Sequence, residues 1–171
     1  MKATRWILLV ACSALLLGCG KSAKLASLLP DAPAGWTPEG GADNRDVSGV
    51  GHSSTRSYAP TDAMAGTGVK RVTVQILLAE KGADQKKVQQ MSLENKAQFR
   101  ERKEVGGFPA YESFPLPGNE THSLAILPRA GTYVQIVAYQ GGPAWDKGEN
   151  RQAVVSAFGG KIDLKKIATL E

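Results

Sequence analysis

The sequence predicts an α+β domain, an antiparallel β-sheet with two main helices packed against it. Three observations carry this. Residues 69–79 alternate, with Val72, Val74, Ile76 and Leu78 on one side and Arg71, Thr73 and Gln75 on the other, as a strand with one buried face does. Runs 121–127 and 132–139 are separated only by the turn Pro128-Arg129-Ala130-Gly131, which makes them a hairpin. Two helical stretches, 85–99 and 147–158, stand apart from the strands instead of alternating with each of them. That order belongs to α+β folds, not to doubly wound parallel sheets.

The chain opens with a basic segment, Met1-Lys2-Ala3-Thr4-Arg5, then an apolar run over 6–17 that ends in Leu16-Leu17-Gly18-Cys19. The run is well short of the roughly 20 apolar residues a spanning helix needs. Its layout is that of an export signal. With Cys19 at its end it resembles a bacterial lipoprotein signal peptide. The resemblance implies that residues 1–18 are removed and that Cys19 becomes a diacylglyceryl-modified N-terminus. Two or more acyl chains hold a protein stably on a bilayer. An ordinary secretory signal, with Cys19 a bystander, is the rival reading. A second match, Leu9-Val10-Ala11-Cys12, leaves too short an apolar core before it. Gly20, where an Asp would signal inner-membrane retention, leans toward the outer membrane, facing the periplasm, in a Gram-negative cell.

Residues 19–34, with Lys21, Lys24, Pro30 and Pro33, read as a lipidated tether, with room for a short helix over 23–29 that Pro30 stops. Lys21 and Lys24 suit anionic headgroups, or simply a solvated linker. The domain proper is expected over 35–171. Glycines break up 37–51 into a hairpin or loop, 52–59 has the composition of a strand, and 61–68 is a turn. Asp84 is placed to cap the helix over 85–99, whose apolar stripe, Val88, Met91, Asn95 and Phe99, is narrow. The run Arg100-Glu101-Arg102-Lys103-Glu104 reads as a solvated face. Residues 105–114 read as a strand interrupted at Gly106-Gly107 and Pro109. Gly159-Gly160 stops the helix over 147–158, which presents Val154, Val155 and Phe158. The tail 162–170 has apolar residues spaced to dock as a last turn or two.

Leu29-Pro30 with Gly35-Trp36, a strand ending near Leu78 before a long helix, and Val105-Gly106-Gly107-Phe108-Pro109-Ala110 together resemble the PsbP/Mog1-like extracytoplasmic domains. The resemblance spans about residues 29–170. It implies an accessory lipoprotein without catalytic activity of its own and places no functional residue.

Composition narrows the rest. The formal charge of +5 falls to +3 when Lys2 and Arg5 leave with the signal, which contains no acid. That is too small a surplus to argue for nucleic acid, and export argues against it as well. With Cys12 removed and Cys19 acylated, no thiol remains for a disulfide. His52 and His122 lie far apart and without a thiol, so no zinc set is legible. Asp43, Asn44 and Asp46 lack the rest of a calcium loop. No nucleophile elbow or phosphate loop is present. The expectation is a chain with no metal, no cofactor and no catalytic residues.

The most suggestive feature is the second face of the sheet. Thr73, Gln75 and Leu77, Ser123 and Ala125, and Tyr133, Gln135, Val137 and Tyr139 all point away from the expected core. The face mixes apolar, aromatic and amide groups without charge, as a binding surface does. Thr73, Gln75, Tyr133, Gln135 and Tyr139 are its candidate residues. The alternative is that the segment with Trp36, or the second helix, covers it. Trp145 is either an exposed anchor or a lid on the core. These features lead to the expectation of a lipid-anchored, non-enzymatic binding or accessory module of the cell envelope with a protein partner. A carrier or sensor of an apolar small molecule on the sheet face is the alternative.

Overall fold

The computed structural model describes residues 20–84, 87, 88, 100–114, 116 and 118–170, with backbone alone at 100 and 101. They form an α+β fold around an antiparallel sheet of eight strands. The strands are β1 (Trp36–Pro38), β2 (Asp43–Val47), β3 (Gly51–Pro60), β4 (Val69–Ala79), β5 (Arg100–Val105), β6 (Phe108–Ser113), β7 (Thr121–Arg129) and β8 (Thr132–Gln140). Their order is β1-β3-β4-β8-β7-β6-β5, and β2 pairs with the other half of β3, extending the edge that β1 begins. Among the described residues, helices α1 (Gly20–Ala26), α2 (Gly148–Gly159) and α3 (Leu164–Ala168) accompany the sheet, with short 3-10 turns at Asp62–Thr67 and Pro143–Asp146.

One face of the sheet holds the main core. Val72, Val74 and Ile76 stand opposite Ala138, Ile136 and Val134, and β7 adds Leu124 and Ile126. Against them pack Val154, Val155 and Phe158 of α2 and the tail residues Ile162, Leu164, Ile167 and Leu170. The Phe158 ring meets Trp36 edge-on at 5.4 Å and Tyr58 at 4.9 Å. Each such side chain contributes about 1.5–3 kcal/mol by leaving water. The tail docks as its spacing predicted. Asp163 caps α3 by accepting the Lys166 N–H at 3.0 Å.

Several expectations are corrected. The segment 20–29 is not a free tether: Leu25, Leu28 and Leu29 belong to the main core, and α1 lies on β3 and β2. One leucine and two alanines in a seven-residue helix give little local sign of docking, because such a helix owes its stability to the surface it packs on. Residues 37–51, expected as a hairpin or loop, hold the end of β1 and all of β2, and β2 does form a hairpin with β3. The charged run 100–104 is part of the edge strand β5, whose alternation places Lys103 inward between exposed Arg102 and Glu104. Gly106-Gly107 does not interrupt one strand; it joins two. Their φ values, +59° and +86°, are those a two-residue hairpin turn of the primed kind demands. Of the helix expected over 85–99, only 87 and 88 are described, and both are helical. The rest of it, its stripe beyond Val88, the signal segment and Cys19 lie outside the described residues.

The sheet has two ends. Residues 48–50, 80–84, 106–107 and 130–131 gather at one, as the pairs Val47–Gly51 and Gly51–Ala79 and the bond from Ala79 N–H to Gly131 O show. Segments 61–68 and 141–147 and the described residues of 114–120 lie at the other. Helix α1 starts at the first end, where Ser22 Oγ donates to Asp46 Oδ2 at 3.3 Å. It leads toward the second, where Tyr58 donates its hydroxyl to Pro30 O at 2.6 Å.

Candidate functional site

The five candidate face residues do share one face, but that face is not open. Gln75 and Gln135 stand directly opposite each other at its centre, 8% and 2% exposed, with Thr73 beside them at 8%. Leu77 on the same face is fully buried, in a second apolar cluster with Val50, Ala83 and Val88, on which Tyr133 packs. Tyr139 is half-buried at the other end of β8, opposite Arg71 and Thr121. The two tyrosines are thus about 20 Å apart along the strand, at roughly 3.3 Å per residue, and cannot flank one small ligand. The covers expected for this face lie elsewhere: Trp36 and α2 both pack on the core side. Its amides stand out chemically. Gln75 Oε1 and both amide atoms of Gln135 are buried with no hydrogen-bond partner among the described residues. Leaving such atoms unpaired costs about 1–3 kcal/mol each. Together they offer a donor and two acceptors.

A buried polar cluster on the core side was not legible. Glu112 and His122 are 2% and 1% exposed, with Glu112 Oε1 at 2.8 Å from His122 Nε2. The second Glu112 oxygen takes an ion pair from Lys103. On the other ring nitrogen, His122 Nδ1 lies 3.1 Å from Ser113 Oγ. Burial pushes the Glu112 carboxyl up, but hydrogen bonds from His122 and Lys103, with their charges, outweigh it and hold its pKa below the ordinary 4.5. Ser, His and Glu in a row invite comparison with a hydrolase triad. Here, however, Ser113 Oγ also accepts the Ser123 N–H at 2.8 Å, where the β6–β7 ladder ends. It stands in for a missing backbone carbonyl, a structural task. His52, the other histidine, pairs with Asp46 at 2.7 Å on the opposite half of the sheet. Asn44 accepts from Ser54 at 2.7 Å and Asp43 pairs with Arg45, so the acid-rich stretch is a hydrogen-bonded strand. Among the described residues no cluster of three or more metal-ligating side chains exists.

A third feature lies in the segment 114–120, at the sheet end away from the start of α1. Phe114 and Leu116 are 40% and 42% exposed there, large apolar side chains turned to solvent. Two buried residues clamp the segment behind them. Trp145 donates its Nε1–H to Asn119 O at 2.6 Å, and Arg151 donates from Nη1 to Leu116 O at 3.2 Å. Both are 0% exposed, and the Arg151 guanidinium stacks over the Trp145 ring at 4.8 Å. Trp145 is therefore a core residue whose polar tip holds a loop. The sequence shows only a turn at 117–119, because the clamp comes from residues about 25 to 35 positions later. A shallow cleft of about 270 Å³ between the β5–β6 turn and the α2–α3 junction, lined by Val105, Gly160 and Lys165 among others, presents no convergent polar set.

No family model, no curated protein and no solved structure matches this chain.

Proposed function

We propose that the protein is a lipid-anchored, non-enzymatic module of the cell envelope that binds a protein partner through the loop at 114–120. The observation that carries this is the clamp. A fully buried arginine and a buried tryptophan spend hydrogen bonds on the backbone of a loop whose apolar side chains face water. Burying a guanidinium is costly, and burial pushes its pKa down. What it secures is a pre-ordered pair of apolar contacts, the arrangement that lowers the entropic cost of association. Anchorage through Cys19 rests on the signal-peptide resemblance, and the α+β sheet with helices on it is compatible with a PsbP/Mog1-like topology.

The experiment is photocrosslinking in cells from a benzophenone residue at Glu120, with the Phe114→Ser/Leu116→Ser double variant as comparison. Both side chains are exposed, so the double variant should stay folded within about 0.5 kcal/mol per site. Loss of a discrete crosslinked partner in that folded variant supports the reading. Undiminished crosslinking refutes it. A second reading, a small-molecule carrier, is favoured by the unpartnered Gln75–Gln135 pair. Mass spectrometry of the intact protein would then show a bound molecule, lost in Gln135→Met.

A further inference from the structure

The described part of the chain begins in a helix already fastened to the domain, and this constrains how a lipid on Cys19 could hold it. The first described residue, Gly20, follows Cys19 in the sequence and is already in α1. Ser22, 2% exposed, is tied to Asp46, and Leu25, 1% exposed, is in the core. Three peptide units separate Cys19 from Ser22 in the chain, a span of at most about 11 Å, so little free chain lies between a lipid on Cys19 and the packed body. A lipoprotein with a long unstructured leash tumbles freely above its membrane; this one has no such length of chain.

We infer that the lipid-anchored protein sits directly on the bilayer in one orientation, with the sheet end carrying 48–50, 80–84 and 130–131 against the headgroups. This rests on the lipoprotein reading. Two properties of that end fit an anionic lipid surface. Lys21, Lys24, Lys81 and Arg129 are exposed there. Of the acids at the same end, Asp46 faces His52 at 2.7 Å and Glu80 accepts the Gly49 N–H at 2.6 Å, while Asp84 and Glu104 are exposed and offset part of the positive charge. Val47, one of the exposed large apolar side chains, projects from it. Positive charge with an apolar tip is what an interfacial surface presents to anionic headgroups. The consequence reaches the other end. Strand β4 spans roughly 35 Å at about 3.3 Å per residue, so Phe114 and Leu116 are carried away from the bilayer, facing outward.

The test uses the full lipidated protein in vesicles of phosphatidylethanolamine and phosphatidylglycerol containing a headgroup-linked, short-range quencher. Fluorophores are placed singly at Ser48→Cys and Ala130→Cys near the membrane and at Ala65→Cys at the far end, all exposed positions. Several-fold stronger quenching of the first two than of the third is expected. A Gly/Ser linker of about fifteen residues inserted between Cys19 and Gly20, with a root-mean-square reach of about 20 Å, should erase the difference without unfolding the domain. Equal quenching in the uninserted protein, with a lipid-modified N-terminal peptide found by mass spectrometry, overturns the orientation and leaves the lipoprotein reading standing. An N-terminal peptide that carries no lipid overturns both.

Discussion

Leu25→Ala tests whether the N-terminal segment belongs to the fold. Leu25 is 1% exposed and part of the main core, in a helix that lies on β3 and β2. Removing three buried carbon atoms forfeits their transfer free energy and leaves a cavity, in total about 2–5 kcal/mol for a leucine in a packed site. The segment lies at the margin of the core and can partly collapse, so the lower half of that range, about 2–3 kcal/mol, is expected. With a urea m-value of about 2 kcal/mol/M, the midpoint should fall by about 1–1.5 M. Equilibrium urea unfolding followed by tryptophan fluorescence is suited to this, because Trp36 and Trp145 are both buried in the core. Lys24→Ala, exposed one position earlier, is the control and should shift stability by less than about 0.5 kcal/mol. A Leu25→Ala midpoint indistinguishable from that control would return residues 20–29 to the status of a tether and remove the basis for a fixed orientation at the membrane.

Glu112 gives a pH prediction. Its carboxyl is held below 4.5 in the folded protein, so the stability it contributes is fully present above that value and is lost as pH falls through the lower, folded value; Glu112→Gln should lose this component, flattening the acid limb in urea titrations between about pH 5 and 2. Gly68 should be intolerant of a side chain. Its φ is +71° and a Cβ would lie 2.2 Å from Trp145 N, so Gly68→Ala is expected to cost about 2–5 kcal/mol by thermal unfolding. Gly118→Ala, with φ +80° and nothing within 4 Å, should cost only about 1–2 kcal/mol. Gln135→Met removes two unpartnered buried polar atoms and should be neutral or raise the melting temperature; a clear loss of stability would mean that the amide has a partner within the fold.

What the sequence determined by itself is the part that depends on near neighbours. Period-two alternation placed β4, β7 and β8 and their core faces, and the apolar spacing of α2 and the tail placed the helical cover. Which residues share a face follows from pleat geometry alone, so Thr73, Gln75, Tyr133, Gln135 and Tyr139 were legible as a set. Whether that face is open was not legible, because burial depends on what packs above it. Gln75 and Gln135 carry amides and read as surface residues, yet they sit on the two central strands and are buried. The Glu112–His122–Lys103 cluster exists only through the registers of β5, β6 and β7, which no local pattern specifies. The same holds for the clamp of Arg151 and Trp145 on segment 114–120, and for the docking of α1, whose few apolar residues match a linker as well as a helix. In each case the deciding energy is desolvation or hydrogen bonding between residues distant in sequence, and only tertiary packing brings such groups together.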